Sequence, residues 1–229
     1  MRRLIVLAVF TLPVLIRAQA PEGWLVPFAC AFQPDIADFN NAFLQKGLPS
    51  AEERHFGWGI ELRSGIGGGF LAGPMFFRTY NDGENDRFHL RTEHTGIMAE
   101  LGYKLPLFKF FTIVPLIGLG GVQPGFHIRE KTGAISLDSL LQAPGNTAVL
   151  SPGMKITVLG ALELHLLIPT NTGSYGLGLR GGYLYSPFRL DWHLANGSRI
   201  TGTPDSKIQG LWFSVGITLI PAPEVATLE

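Results

Sequence analysis

The feature that most constrains the fold is an alternation of large apolar side chains with small or charged ones at a period of two. In FGWGIELRS (56–64), four large apolar residues alternate with Gly57, Gly59, Glu61 and Arg63. The same pattern recurs in TGIMAELGYK (95–104), YGLGLRGGYLY (175–185) and GLWFSVGITL (210–219). Successive side chains of a β-strand point to opposite faces, so each stretch predicts a strand with one apolar face and one small or polar face.

The stretch LGALELHLLIP (159–169) follows the same rule, although it reads at first as a continuous apolar run. Glu163 and His165 are two residues apart, so they share a face with Lys155, and the opposite face is aliphatic. Three further segments alternate less clearly. Each contains a proline (Pro27, Pro74 or Pro115), which lacks a backbone donor and predicts a bulge or a strand end.

These segments together predict an all-β chain of eight strands. Their approximate bounds are 24–32, 55–64, 70–77, 95–104, 108–122, 153–168, 174–186 and 208–220. Their connections alternate between long and short. The long ones are 33–54, 78–94, 126–150 and 187–207, and the short ones are 64–69, 104–109 and 169–174. Long loops at one rim and short turns at the other predict a closed, antiparallel, up-and-down transmembrane β-barrel with short periplasmic turns and long outer loops.

The first twenty residues have the pattern of a secretory signal peptide. Arg2 and Arg3 precede the apolar stretch 4–16, and Ala18 and Ala20 give a small-x-small cleavage pattern. Residues 1–20 are therefore predicted to be a cleaved signal, and 21–229 a single barrel domain. No later stretch has the 18 uninterrupted apolar residues of a spanning helix, although 46% of the chain is hydrophobic. A closed barrel is the other structure that a membrane permits.

The chain resembles the small eight-stranded outer-membrane β-barrel proteins of the OmpA transmembrane domain and OmpX type. The resemblance covers the whole predicted mature chain, about 24–220, and it is one of pattern. The segment 179–207 also resembles the closing hairpin of uncharacterised outer-membrane β-barrel proteins. The resemblance implies localisation in the outer membrane, with outer-membrane lipid or lipopolysaccharide and the barrel-assembly machinery as partners. A departure is the tail PAPEVATLE after the last strand, where such barrels usually end on an aromatic residue.

The glycine-bearing face of the strands is predicted to line the lumen, because an eight-stranded barrel has room inside only for side chains. Several ionisable residues share that face: Glu61, Arg63, Glu100, Lys155, Glu163, His165 and Arg180. Charges withdrawn from water are tolerated only when they are paired. We therefore expect a structural charge network in the lumen in place of an open pore.

Neither catalysis nor a cofactor is expected. Glu163 and His165 are predicted to face inward near the periplasmic rim, and no G-x-S-x-G or HExxH motif occurs. The run GIGGG (65–69) lacks the G-K-[ST] of a phosphate loop and fits a tight turn. The loop residues His127, Asp191, His193 and Asp205 lack metal-ligand spacing, so no metal site is predicted. Cys30 is the only cysteine and is expected to be a buried, inert thiol.

The net charge and the first loop both bear on the expected partners. Three of the 18 basic residues lie in the predicted signal, so with 18 acidic residues the remainder has a net charge of −3, and nucleic acid is not an expected partner. The first loop contains a predicted amphipathic helix, capped by Asp35 and ended by Gly47, with Ile36, Phe39 and Phe43 on one face. It either packs on its own loops, covers the barrel mouth or contacts a partner.

Aromatic residues near the strand ends are expected to form interfacial girdles, although ordinary β-propensity explains them nearly as well. They are Trp24, Trp58, Tyr103, Phe108, Tyr175 and Tyr185. The expected function is structural, or binding and adhesion through the loops, including a possible extracellular ligand. The alternatives are a membrane-embedded lipid-modifying enzyme, a narrow channel and a soluble periplasmic carrier of a lipophilic ligand.

Overall fold

A computed structural model describes residues 23–131 and 147–221. The predicted signal peptide, the centre of the third long loop and the C-terminal tail lie outside the described residues. The elements in chain order are β1 (Gly23–Pro34), α1 (Ala37–Gln45), β2 (His55–Gly67), β3 (Phe70–Glu84), β4 (Phe88–Tyr103), β5 (Leu105–Phe108), β6 (Phe111–Glu130), β7 (Thr147–Ser151), β8 (Lys155–Thr170), β9 (Gly173–Tyr185), β10 (His193–Leu194) and β11 (Gln209–Pro221).

Eight of the strands close into one antiparallel barrel. The order around the wall is β1, β2, β3, β4, β6, β8, β9 and β11, and β11 pairs with β1 through contacts such as Ala29 with Val215. Every ladder in the wall is antiparallel. The predicted eight-stranded up-and-down barrel is therefore confirmed. Among the described residues, no helix is long and apolar enough to cross a membrane.

The two faces of the wall follow the period-two pattern. On β2, Phe56, Trp58 and Leu62 are outward and about half exposed, whereas Glu61 and Arg63 are inward and buried. The same parity places the apolar residues of β9 and β11 on the outside. The wall thus has an apolar outer belt and an inner face of small and polar residues.

On β1 the large side chains face inward and the small ones outward, the reverse of the neighbouring strands, and one expectation is therefore wrong. Its large residues point inward: Trp24 is only 2% exposed and packs edge-on against the ring of His165. Trp24 therefore does not belong to an aromatic girdle, as predicted, whereas Trp58, Tyr103, Phe108, Tyr175 and Tyr185 are exposed on the outside. Glycines on the neighbouring strands make the inward packing possible, since a Cβ on Gly59 would lie 2.2 Å from the ring of Phe28. Cys30 lies on the same inward face as a buried free thiol.

The three strand prolines do not cause bulges or strand ends, so that expectation was wrong. Pro27 pairs with β2, Pro74 with β4 and Pro115 with β8, in continuous ladders. On its other side, each proline lacks a partner in the ladder. A proline cannot donate a hydrogen bond, and here the ladder on that side loses two pairs, that of the proline and that of one neighbour, without a change of register. The register shifts occur instead at 65–67 and 106–108.

The second long loop is mostly strand, which also differs from the sequence prediction. Strands β3 and β4 continue past the barrel as a hairpin whose turn lies at 85–87, and β6 continues beside them to Glu130. Cross-strand pairs stabilise this extension: Arg78 donates a hydrogen bond to Glu93 at 2.7 Å, and Arg91 lies over the ring of Tyr80. Strand β7 joins the edge of β6, and β10 joins β7. At the other rim, the turn at 104–109 contains β5, which pairs with β6.

The predicted helix of the first loop is present as α1, with one correction to its cap. The N-cap is Ile36, and it makes no side-chain capping bond. The Asp35 carboxylate instead accepts a hydrogen bond from Gln209 at 2.9 Å, which ties the loop to the start of β11. Gly47 follows the helix with a φ of +72°, a conformation that favours glycine.

Candidate functional site

Two layers of side chains fill the lumen, and the first is a cluster of five charged residues. Glu61 and Arg63 come from β2, Glu100 from β4, Glu163 from β8 and Arg180 from β9. All five are at most 5% exposed. On β2, β8 and β9 these residues lie near the middle of the strand, so we call this set the mid-barrel charge cluster.

Each arginine in the cluster contacts all three glutamates. Arg63 donates two hydrogen bonds to Glu163, at 2.6 and 2.8 Å, and one to Glu100 at 3.2 Å, and its Nε contacts Glu61. Arg180 donates to Glu100 at 2.8 Å, and it also bonds Glu61 and Glu163. Arginine suits this task because its planar fork holds several carboxylates at once. The arrangement crosses the bore from β2 to β8 and β9.

His165 lies directly beside the mid-barrel charge cluster. Its Nε2 lies 3.1 Å from Oε2 of Glu163, and its Nδ1 lies 2.9 Å from Oγ1 of Thr218. In a neutral imidazole, Nε2–H therefore donates to the carboxylate and Nδ1 accepts from the hydroxyl. The chain Thr218–His165–Glu163 has the order of a hydrolase triad. All three residues are at most 4% exposed, so the hydroxyl is sealed inside packed side chains.

Lys155 is separate from the other six predicted lumen residues. It is the first residue of β8, and a rise of about 3.3 Å per residue puts it roughly 26 Å along the strand from Glu163. Among the described residues it forms no ion pair. The sequence placed Lys155 on the correct face, but the face pattern alone contains no information on height.

The second layer is an aromatic plug at the outer mouth, formed by Phe39 and Phe43 of α1, Phe126 of β6 and Trp192 of the last long loop. The ring centroids of Phe39 and Phe126 are 5.0 Å apart, those of Phe43 and Phe126 5.2 Å, and those of Phe126 and Trp192 4.9 Å. All four side chains are at most 8% exposed. They belong to one apolar core that continues down to Trp212 and Met98 in the lumen. Helix α1 therefore covers the barrel mouth.

Two buried histidines under the plug were not identified from the sequence. The rings of His55 and His94 have centroids 5.1 Å apart, and the hydroxyl of Thr92 lies 3.2 Å from Nε2 of His55. Both histidines sit on the inward parity of their strands, which is the one signal that could have found them. Their neighbours are mainly aromatic, with Phe32 edge-on to His94.

The outer face above the apolar belt is polar and paired. Glu93 bridges Arg78 and His127, and Lys131 bonds Glu84 at 3.0 Å. The hydrogen bond and charge of Lys131 hold the pKa of the Glu84 carboxyl below its usual range. The two acidic residues of the last long loop have basic partners: Asp191 pairs with Arg199, and Asp205 with Arg189. Within 23–131 and 147–221, no group of three metal-ligating side chains occurs.

These features define a small outer-membrane-type β-barrel protein: eight closed strands, an apolar belt, a filled interior, and longer connections at one rim than at the other. No protein-family model and no curated protein matches the sequence. Among solved structures, it is similar to Ail, the attachment invasion locus protein of Yersinia pestis, in complex with the heparin analogue sucrose octasulfate. The identity is 12%, covering 86% of this chain and 97% of that one, with a TM-score of 0.43.

Two further structures are similar to the same degree. Neisserial surface protein A matches at 10% identity over 87% of this chain and 97% of its own, with a TM-score of 0.39. A major outer membrane protein from Thermus thermophilus matches at 9% identity over 86% and 99%, with a TM-score of 0.46. The strand pairing of the chain itself, rather than these likenesses, defines the fold.

Proposed function

We propose that the chain is an integral outer-membrane protein that conducts nothing and binds an extracellular partner through its outer loops. The observation that carries this proposal is the double closure of the lumen. The mid-barrel charge cluster crosses the bore with bonds from Arg63 and Arg180 to three glutamates, and the aromatic plug seals the mouth above it. With the interior filled, the surface left for function is the outer one.

The apolar belt supports insertion in a membrane. Its outward residues are large and about half exposed, as Phe213 and Ile217 on β11 are, and in water they would leave an apolar surface around the whole wall. A soluble carrier would also need an empty calyx, whereas the described lumen is packed. We therefore propose localisation in the outer membrane after export through a cleaved signal. Membrane lipid or lipopolysaccharide and the barrel-assembly machinery are the partners implied by that location.

The outer end has the rigidity that a binding surface needs. The extension of β3, β4 and β6 is paired strand by strand, and Asn85 accepts backbone hydrogen bonds from Arg87 and Phe88 at its tip. Apolar residues are also exposed in the loops, including Leu44 of α1 at 59% and Phe188 of the last long loop at 48%. Ordered loops with exposed apolar side chains among charges are typical of protein-binding surfaces.

The first prediction is that the chain inserts into the outer membrane and conducts no ions. The full chain expressed with its signal should fractionate with outer membranes, and unboiled and boiled samples should migrate differently on SDS gels, because the closed ladders resist detergent. In planar bilayers the purified barrel should give no steady single-channel current. Steady conductance would replace the binding proposal with a channel, and a soluble protein without a gel shift would replace it with a carrier.

The binding role is tested on cells that display the barrel. A non-adherent bacterium expressing the full chain should bind surfaces coated with extracellular-matrix protein or glycan. A Leu44→Ser/Phe188→Ser variant should lose that binding while its gel shift is unchanged. Equal adhesion of cells with and without the protein would overturn the binding role while leaving the membrane barrel intact.

The Thr218–His165–Glu163 chain is the one observation that favours an enzyme. Because all three side chains are buried, we propose that it is structural. Thr218→Val should lower the free energy of unfolding by about 1–3 kcal/mol, since Nδ1 of His165 loses its partner. It should leave phospholipid and lipid A unhydrolysed, as in the wild type. Hydrolysis by the wild type that Thr218→Val abolishes would establish the enzyme instead.

A further inference from the structure

A groove runs along β1 on the membrane-facing side of the wall. Its floor is formed by the small outward residues Pro27 and Ala29, and its sides by Trp58 of β2 and by Val215 and Ile217 of β11. The concavity has a volume of about 420 Å³. It exists because β1 directs its large side chains inward and its small ones outward, the reverse of the neighbouring strands.

A second concavity of about 710 Å³ continues this groove to the rim that carries the short turns. Leu25, Tyr175 and Leu219 line it, and each lies two residues from a residue that lines the first concavity on the same strand. Residues two apart in a strand are neighbours on one face. The two concavities therefore form one continuous groove, which we call the β1 groove.

The length of the β1 groove corresponds to one leaflet of a bilayer. From Gly23 to Ala29 the strand rises by roughly 20 Å. With the 35–45° tilt of barrel strands, this is about 15 Å along the barrel axis. The hydrocarbon core of a bilayer is about 30 Å thick, so the groove spans about half of it. Its position at the short-turn rim puts it in the inner leaflet.

The chemistry of the groove selects a lipid. Its lining extends from Trp58 of β2 across β1 and β11 to Leu177 of β9, three strand spacings or roughly 14 Å between the outer backbones. The floor along β1 admits an acyl chain lying along the strand. The outward lining carries no charge, whereas hydroxyls of Thr170, Thr172 and Ser174 lie at the rim end.

We propose that the β1 groove binds one inner-leaflet phospholipid, with an acyl chain along Pro27 and Ala29 and the headgroup against the hydroxyls at the rim. This inference rests on the proposed insertion in the outer membrane. The apolar walls bury the chain, and the hydroxyls of Thr172 and Ser174 offer donors and acceptors to the headgroup, whereas that of Thr170 donates to the Gly173 carbonyl and can only accept. The site stabilises a lipid beyond the ordinary boundary layer because the chain contacts three sides instead of one.

Filling the groove tests the proposal. Ala29→Phe places a ring on the floor, and Gly160→Phe, at an outward, exposed glycine of β8 where an added side chain meets open space, is the matched control. Wild type, Ala29→Phe and Gly160→Phe are purified from membranes in mild detergent, and retained phospholipid is counted by native mass spectrometry. Delipidated samples are then titrated with phosphatidylethanolamine. Wild type and Gly160→Phe should hold one lipid, and Ala29→Phe should bind about tenfold more weakly, the effect of displacing two methylene groups.

Three outcomes would overturn the proposal. Wild type could retain no phospholipid, or Ala29→Phe could retain as much as the control, which would indicate only non-specific boundary lipid. A dimer that Ala29→Phe dissociates would show that a second copy occupies the groove. Gel shift and membrane fractionation of the same three samples separate this result from the proposed function. A wild type that is inserted and heat-modifiable but holds no lipid refutes the groove site alone.

Discussion

Glu163→Leu is expected to lower the free energy of unfolding by about 3–5 kcal/mol, the cost of breaking a buried ion pair by removing one partner. Glu163 accepts hydrogen bonds from Arg63 and Arg180, and it also contacts His165. Leucine has a similar volume but leaves both guanidinium groups with fewer acceptors in a space closed to water. The measurement is the urea midpoint of the barrel refolded in lipid vesicles, followed by tryptophan fluorescence.

The matched control is Glu84→Leu, at an acid whose ion pair lies in water. Glu84 bonds Lys131 at 3.0 Å, and its side chain is 66% exposed. Exposed pairs contribute little, so this variant should stay within about 0.5 kcal/mol of the wild type. An unchanged urea midpoint for Glu163→Leu would show that water reaches this residue. The mid-barrel charge cluster would then no longer account for a closed bore.

Side-chain parity explains how much of the interior the sequence could predict. Two-residue periodicity assigned Glu61, Arg63, Glu163 and Arg180 to one face without any knowledge of pairing. It could not predict that Glu163 lies directly opposite Arg180, because that depends on the register between β8 and β9. The same limit applies to Thr218, which shares the inward face of β11 and reaches His165 over Gly178 of the intervening strand β9.

The wrong expectations have physical causes that a two-residue period in the sequence cannot reveal. Large residues face outward on most strands, which predicts an outward Trp24, whereas β1 packs its large residues into space left by glycines. The polar composition of 78–94 predicts a loop, whereas the segment forms a hairpin. Its inward residues Thr79, Leu90 and Thr92 are buried, but its outward face meets water, so cross-strand pairs such as Arg78 with Glu93 stand where an apolar face marks the other strands.

Phe126→Ala is expected to destabilise the barrel by about 3–5 kcal/mol, the range for truncating a fully buried aromatic residue. Phe126 is the centre of the aromatic plug, since its ring contacts Phe39, Phe43 and Trp192. Removing the ring leaves a cavity under α1 that the remaining rings of Phe39, Phe43 and Trp192 cannot fill by moving. Urea unfolding measures the loss, and Phe188→Ala, at a half-exposed loop ring, is the control that should change little.

The same variant separates the two closures of the lumen. Phe126→Ala opens the mouth but leaves Arg63 and Arg180 bonded to their glutamates below, so planar bilayers should remain silent. A steady current through Phe126→Ala would mean that the plug alone seals the barrel and that ions pass the charge cluster. Silence together with the stability loss would assign the seal to the charges and the anchoring of the outer loops to the aromatic rings. The binding surface then depends on the plug for its shape, because α1 and the last long loop both pack on Phe126 of β6.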